Sequence, residues 1–438
     1  MSQTLPRTLG SRDLVLIVIG SVIGSGIFIV PAGTLRLTGG HVGPALTVWL
    51  VGGVLSLLGA LTYAELGAMN PEAGGLYVYI RDAFGPLPAF LYGWTLLLVL
   101  GSGTVAALAA ASINYLRELV PVGPALGMAI AVLMIVGIAA LNVRSTRQSA
   151  TALNWSTFIK AGGILLISVL LVARRPADAP GFGQIWPSQL DASTLGGVGI
   201  AMIGVLWAYE GWQWVTFSTG ETIDPQRIFP RAIVIGTAAL VVIYLAANLA
   251  YITVLGPAAA AQSTRIAAQS VSTALGPSAG KIVAALILIS MFSAAHSTVL
   301  TVPRVFYAMA RDGVFIRKLA EVDPRSGTPW VAILACCSVA IVLTLSNTFD
   351  QLLTYVVFAG WIFYGLAALS IFVYRRRMPD APRPFRVPGY PLTPLLFVLA
   401  AAAIVGNTLR EQPRIALVGL AIVLSGVPAF YLWKRMLK

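Results

Sequence analysis

Apolar runs long enough to cross a bilayer recur from one end of the chain to the other, and no long polar domain separates them. A crossing helix needs roughly 20 apolar residues at 1.5 Å rise each, and twelve runs fit that pattern. The first six cover Leu14 to Leu35, Ala45 to Met69, Leu87 to Leu116, Pro124 to Leu141, Leu153 to Val172 and Leu195 to Phe217. The remaining six cover Ile233 to Leu255, Ile282 to Met309, Val331 to Leu345, Leu352 to Tyr374, Leu392 to Leu409 and Ile415 to Trp433. The pattern predicts an all-α polytopic membrane protein of twelve transmembrane helices. No small-residue cleavage site follows a short apolar core at the start, so the first run reads as a retained helix and not as a signal peptide.

Two runs depart from plain apolar helix. The first contains Gly20-Ser21-Val22-Ile23-Gly24-Ser25-Gly26-Ile27-Phe28, and its three glycines weaken the helix, each by about 1 kcal/mol relative to alanine. The sixth contains Trp207-Ala208-Tyr209-Glu210-Gly211-Trp212, an acid and a glycine among aromatics at mid-membrane. Glycines at such spacing can also serve close helix packing. A matching interruption five spans later points instead to an inverted-repeat carrier whose site lies at the interruptions. Spans 1 to 5, in residues 1–175, then form one repeat, and spans 6 to 10, in residues 190–378, form the second. Because five is odd, the second enters from the opposite side. Residues 390–438 carry the two spans left outside.

Composition agrees with lipid as the solvent: 58% of the 438 residues are hydrophobic and 10% are charged, where soluble domains carry roughly a quarter charged residues. The net charge of +13 does not imply nucleic acid, because the cations fall mainly in alternate loops, as the positive-inside pattern requires. With both termini inside, the cytoplasmic segments hold Arg7, Arg12, Arg81, Arg144, Arg147, Arg227, Arg311 and Arg375 to Arg377, among others. The outer side holds fewer, and of those Arg174 and Arg175 run against the rule. Cys336 and Cys337 are adjacent within the ninth span and suggest neither a disulfide framework nor a metal site. No channel-like filter or charged ring is evident. An enzyme would need a nucleophile and base or a metal cluster, and of two histidines only His296 lies at membrane depth. Neither a cofactor nor a metal is expected.

An ordered set of motifs resembles the amino acid, polyamine and organocation transporter superfamily, and within it the L-amino acid transporter family, as a bacterial member. The set begins with the glycine-rich segment of span 1, Tyr63-Ala64-Glu65-Leu66, Gly74-Gly75-Leu76-Tyr77-Val78-Tyr79 and the span 6 segment above. It continues with Asp224-Pro225, Pro230-Arg231-Ala232-Ile233, Arg304 to Gly313 and Arg383 to Pro391. The resemblance implies the LeuT-like five-plus-five inverted repeat, alternating access, and sodium-independent transport of amino acids, often by exchange, from the cytoplasmic (inner) membrane of a bacterium. Two residues depart from the family's usual choice: Trp207 stands for a phenylalanine and His296 for an asparagine. Animal relatives join a single-span glycoprotein through a cysteine in the loop after span 3. Leu116 to Gly123 contains none, so no disulfide-linked partner is expected.

An amino acid brings a carboxylate and an ammonium that both lose water at mid-membrane. Free N–H groups and the positive dipole end of the outer half of helix 1 suit the carboxylate, which nominates Ser25, Gly26 and Ile27. Carbonyls ending the inner half of helix 1 and its counterpart in span 6 suit the ammonium, which nominates Val22, Ile23, Trp207 and Ala208. Trp207 is also the candidate gate, and Tyr209 and Tyr244 offer hydroxyls to the site or the gate. Glu210 reads either as the electrostatic partner of a cationic substrate or proton, or as a cap on the second half-helix. His296 titrates nearest neutral pH and stands between a coupling and a structural role. The small residues around Gly103 form a possible wall.

Lys160 is a lone cation within span 5 and shares a helix face with Ser156, Thr157 and Gly163, so it is expected to face the bundle. A snorkelling lysine is the alternative. In sodium-independent relatives a lysine of span 5 stands where others bind sodium between helices 1 and 8. The resemblance therefore implies that the Lys160 ammonium replaces that ion, beside carbonyls near Gly20 or Ile23 and the hydroxyl of Ser290. Fixed charge and proton carrier both remain open for it. The expected function is transport of neutral L-amino acids by exchange or proton symport, with cationic amino acids or polyamines as the alternative.

Overall fold

The computed structural model describes residues 5–189, 192–346 and 349–436. The chain opens with two short helices, α1 (Ser11–Val22) and α2 (Gly26–Leu37), whose axes differ by 47° across a three-residue break. Next come α3 (Val42–Met69), the short, largely buried helix α4 (Leu76–Phe84), α5 (Pro86–Thr95), α6 (Gly101–Leu119), α7 (Pro124–Arg144) and α8 (Thr146–Ala173). The later part holds α9 (Ala192–Ala208), α10 (Pro225–Gln262), α11 (Ile266–Leu275), α12 (Pro277–Thr301), α13 (Pro303–Arg311) and α14 (Trp330–Ser346). The chain closes with α15 (Phe349–Arg377), α16 (Leu392–Glu411) and α17 (Pro413–Met436). Among the described residues the one extended pairing is a parallel bridge of Leu9 with Thr222.

Ten helices among the described residues are long and apolar enough to cross a membrane, and the bent pair α1 and α2 makes an eleventh. The ninth expected span, α14, is apolar but has 17 residues, roughly 25 Å at 1.5 Å rise. The chain is therefore a multi-pass membrane protein. Its outward faces agree, since Leu133, Val169, Val242 and Ile282 stand exposed as a soluble protein would not leave them. The interior is formed by α1, α3, α6, α10 and α12, and α8 packs on them by one face while Trp155, Phe158 and Leu166 face outward. Helix α10 lies along α3, and α12 along α6. Small residues permit that closeness: a Cβ on Gly53 would meet Val241 at 2.7 Å, and one on Gly67 would meet Phe229 at 2.3 Å.

Two spans differ from the regular helices that hydropathy suggests. Span 3 carries a π-helical turn over Leu96–Leu100, between α5 and α6. After the break in span 6 the chain continues as a 3₁₀ helix, Trp212–Glu221, and not as a second α-helical half. Side-chain hydroxyls favour that tighter winding. Thr216 donates to the Gln213 carbonyl at 2.7 Å and Thr219 to that of Thr216 at 3.0 Å, both three residues back.

Candidate functional site

The breaks of spans 1 and 6 cross each other at backbone contact. A Cβ on Gly26 would lie 2.7 Å from both Cα and Cβ of Ala208. Gly211 has φ +119, and a Cβ there would meet the Ser21 carbonyl oxygen at 2.8 Å, so each glycine is dictated by the other strand of the crossing. Where α1 stops, its last carbonyls lose their helical partners and carry the negative end of the helix dipole. Ile23 is extended there (φ −70, ψ 92).

Those carbonyls collect donors from three other helices. Lys160 of α8, wholly buried, donates Nζ to the Gly20 carbonyl at 2.7 Å and to the Ile23 carbonyl at 2.6 Å. Its approach needs Gly20 to lack a side chain, since a Cβ would meet Thr157 Oγ1 at 2.5 Å. Ser290 of α12 donates toward the carbonyls of Ile23 and Gly24 at 3.0 and 3.1 Å. Tyr244 of α10 sets its hydroxyl between the carbonyls of Ala208 and Val22 at 3.0 and 3.1 Å. One hydroxyl proton shared by two acceptors leaves both with capacity for a further donor.

Against the crossing lies a cavity of ≈ 30 Å³, walled by Ser21, Val22, Gly24, Ser25 and Gly26 of span 1 and by Trp207, Ala208 and Glu210 of span 6. Thr104 and Leu108 of α6 and Ala294 of α12 close it. It has room for one or two waters, so an amino acid would have to push its walls apart. The Ser25 hydroxyl is buried and without a hydrogen-bond partner in the protein. Glu210 is the one ionisable side chain in the lining. Its Oε1 accepts from Gln213 Nε2 at 2.6 Å and from the Tyr364 hydroxyl.

The sequence profile described as amino acid permease matches residues 9–427. The chain belongs to that family. It is 34% identical over 432 residues to the human cystine/glutamate transporter, covering 96% of this chain and 83% of the relative. It is also 30% identical over 434 residues to the serine/threonine exchanger SteT of Bacillus subtilis (strain 168), covering 98% of each. A third similar protein is the mouse b(0,+)-type amino acid transporter 1, 30% identical over 439 residues, covering 99% of this chain and 89% of the relative. The permease is thus a transporter and not an enzyme.

Of the residues expected at the permease's site, Val22, Ser25, Gly26, Trp207, Ala208 and Glu210 come together around the cavity. Gly20, Ile23, Lys160 and Ser290 meet just beneath it through the carbonyls described above. Ile27 is buried in the first turn of α2 outside the lining. The Trp207 carbonyl is engaged by the Glu210 N–H at 3.0 Å, closing the turn. Tyr209 points away into an aromatic group with Trp49 and Tyr244, at ring separations of 5.9 and 5.0 Å. Glu210 caps no backbone N–H of the 3₁₀ helix; the Gly211 N–H is instead met by Gln213 Oε1 at 3.2 Å.

His296 sits in a hydrogen-bonded chain that sets its tautomer. Asn142 Nδ2 donates to the Ile138 carbonyl at 2.9 Å, which turns Oδ1 toward the Ser149 hydroxyl at 2.7 Å. The Ser149 proton is then committed, so His296 Nε2 is the donor in its 2.7 Å contact with Ser149. Gly103 stays out of the lining, and its neighbour Thr104 enters it. Ser21 and Gly24 lie in the span 1 segment, and Thr104 in the small run around Gly103, that the sequence singled out; Leu108 and Ala294 escaped sequence reasoning. The one available signal was their spacing, since Ala294 is one helical turn beyond Ser290 and Leu108 one turn beyond Thr104.

Proposed function

We propose that this permease is a sodium-independent secondary transporter of L-amino acids, neutral ones foremost, working by alternating access as an exchanger or proton symporter. The observation that carries the reading is the buried Lys160 ammonium on the Gly20 and Ile23 carbonyls, with Ser290 on the same Ile23 oxygen. Three elements thereby hold a cation of the protein's own where α1 ends, and a coupling ion there would meet a charge of its own sign. The substrate carboxylate is assigned to the N–H groups of Ser25, Gly26 and Ile27, which precede the first bond of α2, from Phe28 N to the Ser25 carbonyl at 3.0 Å. The ammonium is assigned to the carbonyl ends at Val22 and Ala208, where it would share acceptors with Tyr244. Trp207 closes over the bound molecule as the gate.

Counting α14 as a span gives twelve, arranged as a five-plus-five inverted repeat with residues 1–175 and 190–378 as its halves and 390–438 outside. The chain resides in a bacterial cytoplasmic membrane with both termini inside. It works without a disulfide-linked partner, consistent with a Leu116 to Gly123 loop that lacks cysteine and with the burial of Cys336 and Cys337. Purified protein in proteoliposomes tests the reading against a panel of labelled amino acids, with and without internal substrate, sodium and a pH gradient. Uptake without sodium is expected. No uptake of any amino acid under any of these conditions rejects the reading, and a sodium requirement rejects the part given to Lys160.

A second reading, transport of cationic amino acids or polyamines, is favoured by Glu210 lining the cavity while both of its recorded bonds fall on Oε1. Oε2 would then receive the substrate's cation. Under this reading Glu210→Gln abolishes uptake of cations and spares neutral substrates; loss of both together counts against it.

A further inference from the structure

A bowl of ≈ 670 Å³ opens at the end where α1 begins, and its walls include Arg7, Arg81, Gly220, Tyr307 and Ala308. It reaches no further than Gly220 and Ala308, which flank a dry ion pair: Glu221, next after Gly220, and Arg304, one turn before Ala308. Arg304 donates Nε to Glu221 Oε2 at 2.7 Å and Nη2 to Oε1 at 3.0 Å. Thr146, in the first turn of α8, donates to Oε1 at 3.0 Å and accepts from Nη2 at 3.0 Å. Both charged side chains are 0% exposed. The segment ahead of α1 is fastened at the same point, with Thr8 and Leu9 N–H groups on the Glu221 carbonyl at 2.8 and 2.9 Å. At the opposite end a cavity of ≈ 390 Å³ is lined by Val30, Gly33, Thr34, Ile200 and Gly204, and among the described residues no ion pair joins α2 to α9, which meet instead through Gly197 against the Leu37 carbonyl.

We propose that Arg304, Glu221 and Thr146 form a clasp that holds the inner end of the permease shut, and that its release parts the inner ends of α8, α13 and the span 6 helix. The inference rests on the alternating-access reading above. A buried ion pair suits this task because stripping water from both charges cancels most of their attraction. The closed clasp is therefore specific in geometry yet weak in net energy, and opening rehydrates both partners. Arg304 Nη1 is buried without a partner, which leaves the closed arrangement further short of full compensation. Removing one partner strands the other charge in a dry site, and opening is the way to wet it. Replacing both by apolar side chains removes that drive.

Thiol labelling in inside-out vesicles separates these cases. Thr301, buried at the end of α12 three residues before Arg304, is replaced by cysteine in a background with Cys336→Ala and Cys337→Ala, and a membrane-impermeant maleimide is added. Labelling is expected to be slow in this background and to rise roughly tenfold or more in Glu221→Gln. It should return to the background rate in the double variant Glu221→Met with Arg304→Met. An unchanged rate in Glu221→Gln, or a double variant that labels as fast as the single one, overturns the clasp. Should Glu221→Gln fail to reach the membrane, Arg304→Met alone carries the same expectation, since it strands the Glu221 carboxylate. Labelling needs no substrate. Absent uptake with this labelling pattern would therefore reject the transport reading and leave the clasp standing.

Discussion

A methyl group on Gly26 would overlap the Ala208 backbone at 2.7 Å, and neither break can retreat, because Gly211 presses the Ser21 carbonyl from the other side. Gly26→Ala is therefore expected to abolish uptake while the protein still inserts and purifies; wild-type uptake would show that the crossing is looser than 2.7 Å implies. Lys160→Met should impair transport too, for a different reason. It removes the ammonium from the Gly20 carbonyl, which is then short of a partner at about 1–3 kcal/mol, leaves the Ile23 carbonyl to Ser290 alone, and lets a small cation compete for both. The telling measurement is uptake with and without sodium, where partial rescue of Lys160→Met by sodium is the expected outcome. Lys160 was legible in the sequence because a lone charge in an apolar run calls for a partner. Its acceptors were legible only to within a turn, since which carbonyls lose their helical partners depends on where α1 stops. Leu108 and Ala294 carried no such mark: they occur in helices whose apolar pattern looks the same on every face.

Two glycines separate helix geometry from helix packing. Gly211 needs φ +119 to turn α9 into the 3₁₀ helix, and Gly137 in α7 has nothing within 4 Å of a Cβ position. Gly211→Ala should lower the melting temperature of the detergent-purified protein by several degrees, from left-handed backbone strain of about 1–3 kcal/mol together with the contact on Ser21. Gly137→Ala should leave it unchanged or raise it, because alanine favours the helix by about 1 kcal/mol. Equal shifts for the two would mean that the break in span 6 is not strained as its geometry indicates. At this scale hydropathy located the runs and the two interruptions, because both follow from residue type. It was blind to the π turn in span 3 and the 3₁₀ winding of Trp212–Glu221, which are matters of hydrogen-bond register. The hydroxyls of Thr216 and Thr219 reach back three residues there, and a profile of apolarity counts them only as polar positions in a weak span.

Charge is divided between the two ends of the molecule, and the division fixes how the chain should sit in the bilayer. At one end Arg147 meets Asp13, Arg81 meets Asp312 and Arg375 meets Glu65, each at 2.7 Å. The last two pairs are linked contact by contact, for Tyr374 and Asn70 both reach Asp82 at 3.1 Å, next to Arg81. The loop after α8 belongs to the other end: the Gly43 N–H donates to the Ile185 carbonyl at 2.8 Å, and the His41 ring meets the Gln184 carbonyl at 3.0 Å. That loop holds Arg174 and Arg175, the two cations that oppose an orientation with the arginine-rich end inside. Arg175 spends its charge locally, donating to the carbonyls of Ala179 and Pro180 at 3.2 Å. The arginine-rich end, carrying Arg375 to Arg377 and the basic C-terminus, should accordingly prevail and lie in the cytoplasm. Green fluorescent protein fused after Lys438 should fluoresce and alkaline phosphatase fused there should be silent, whereas phosphatase inserted at Gly181 should be active. Phosphatase activity at the C-terminus would invert the molecule and put the clasp of Arg304 and Glu221 on the outer face.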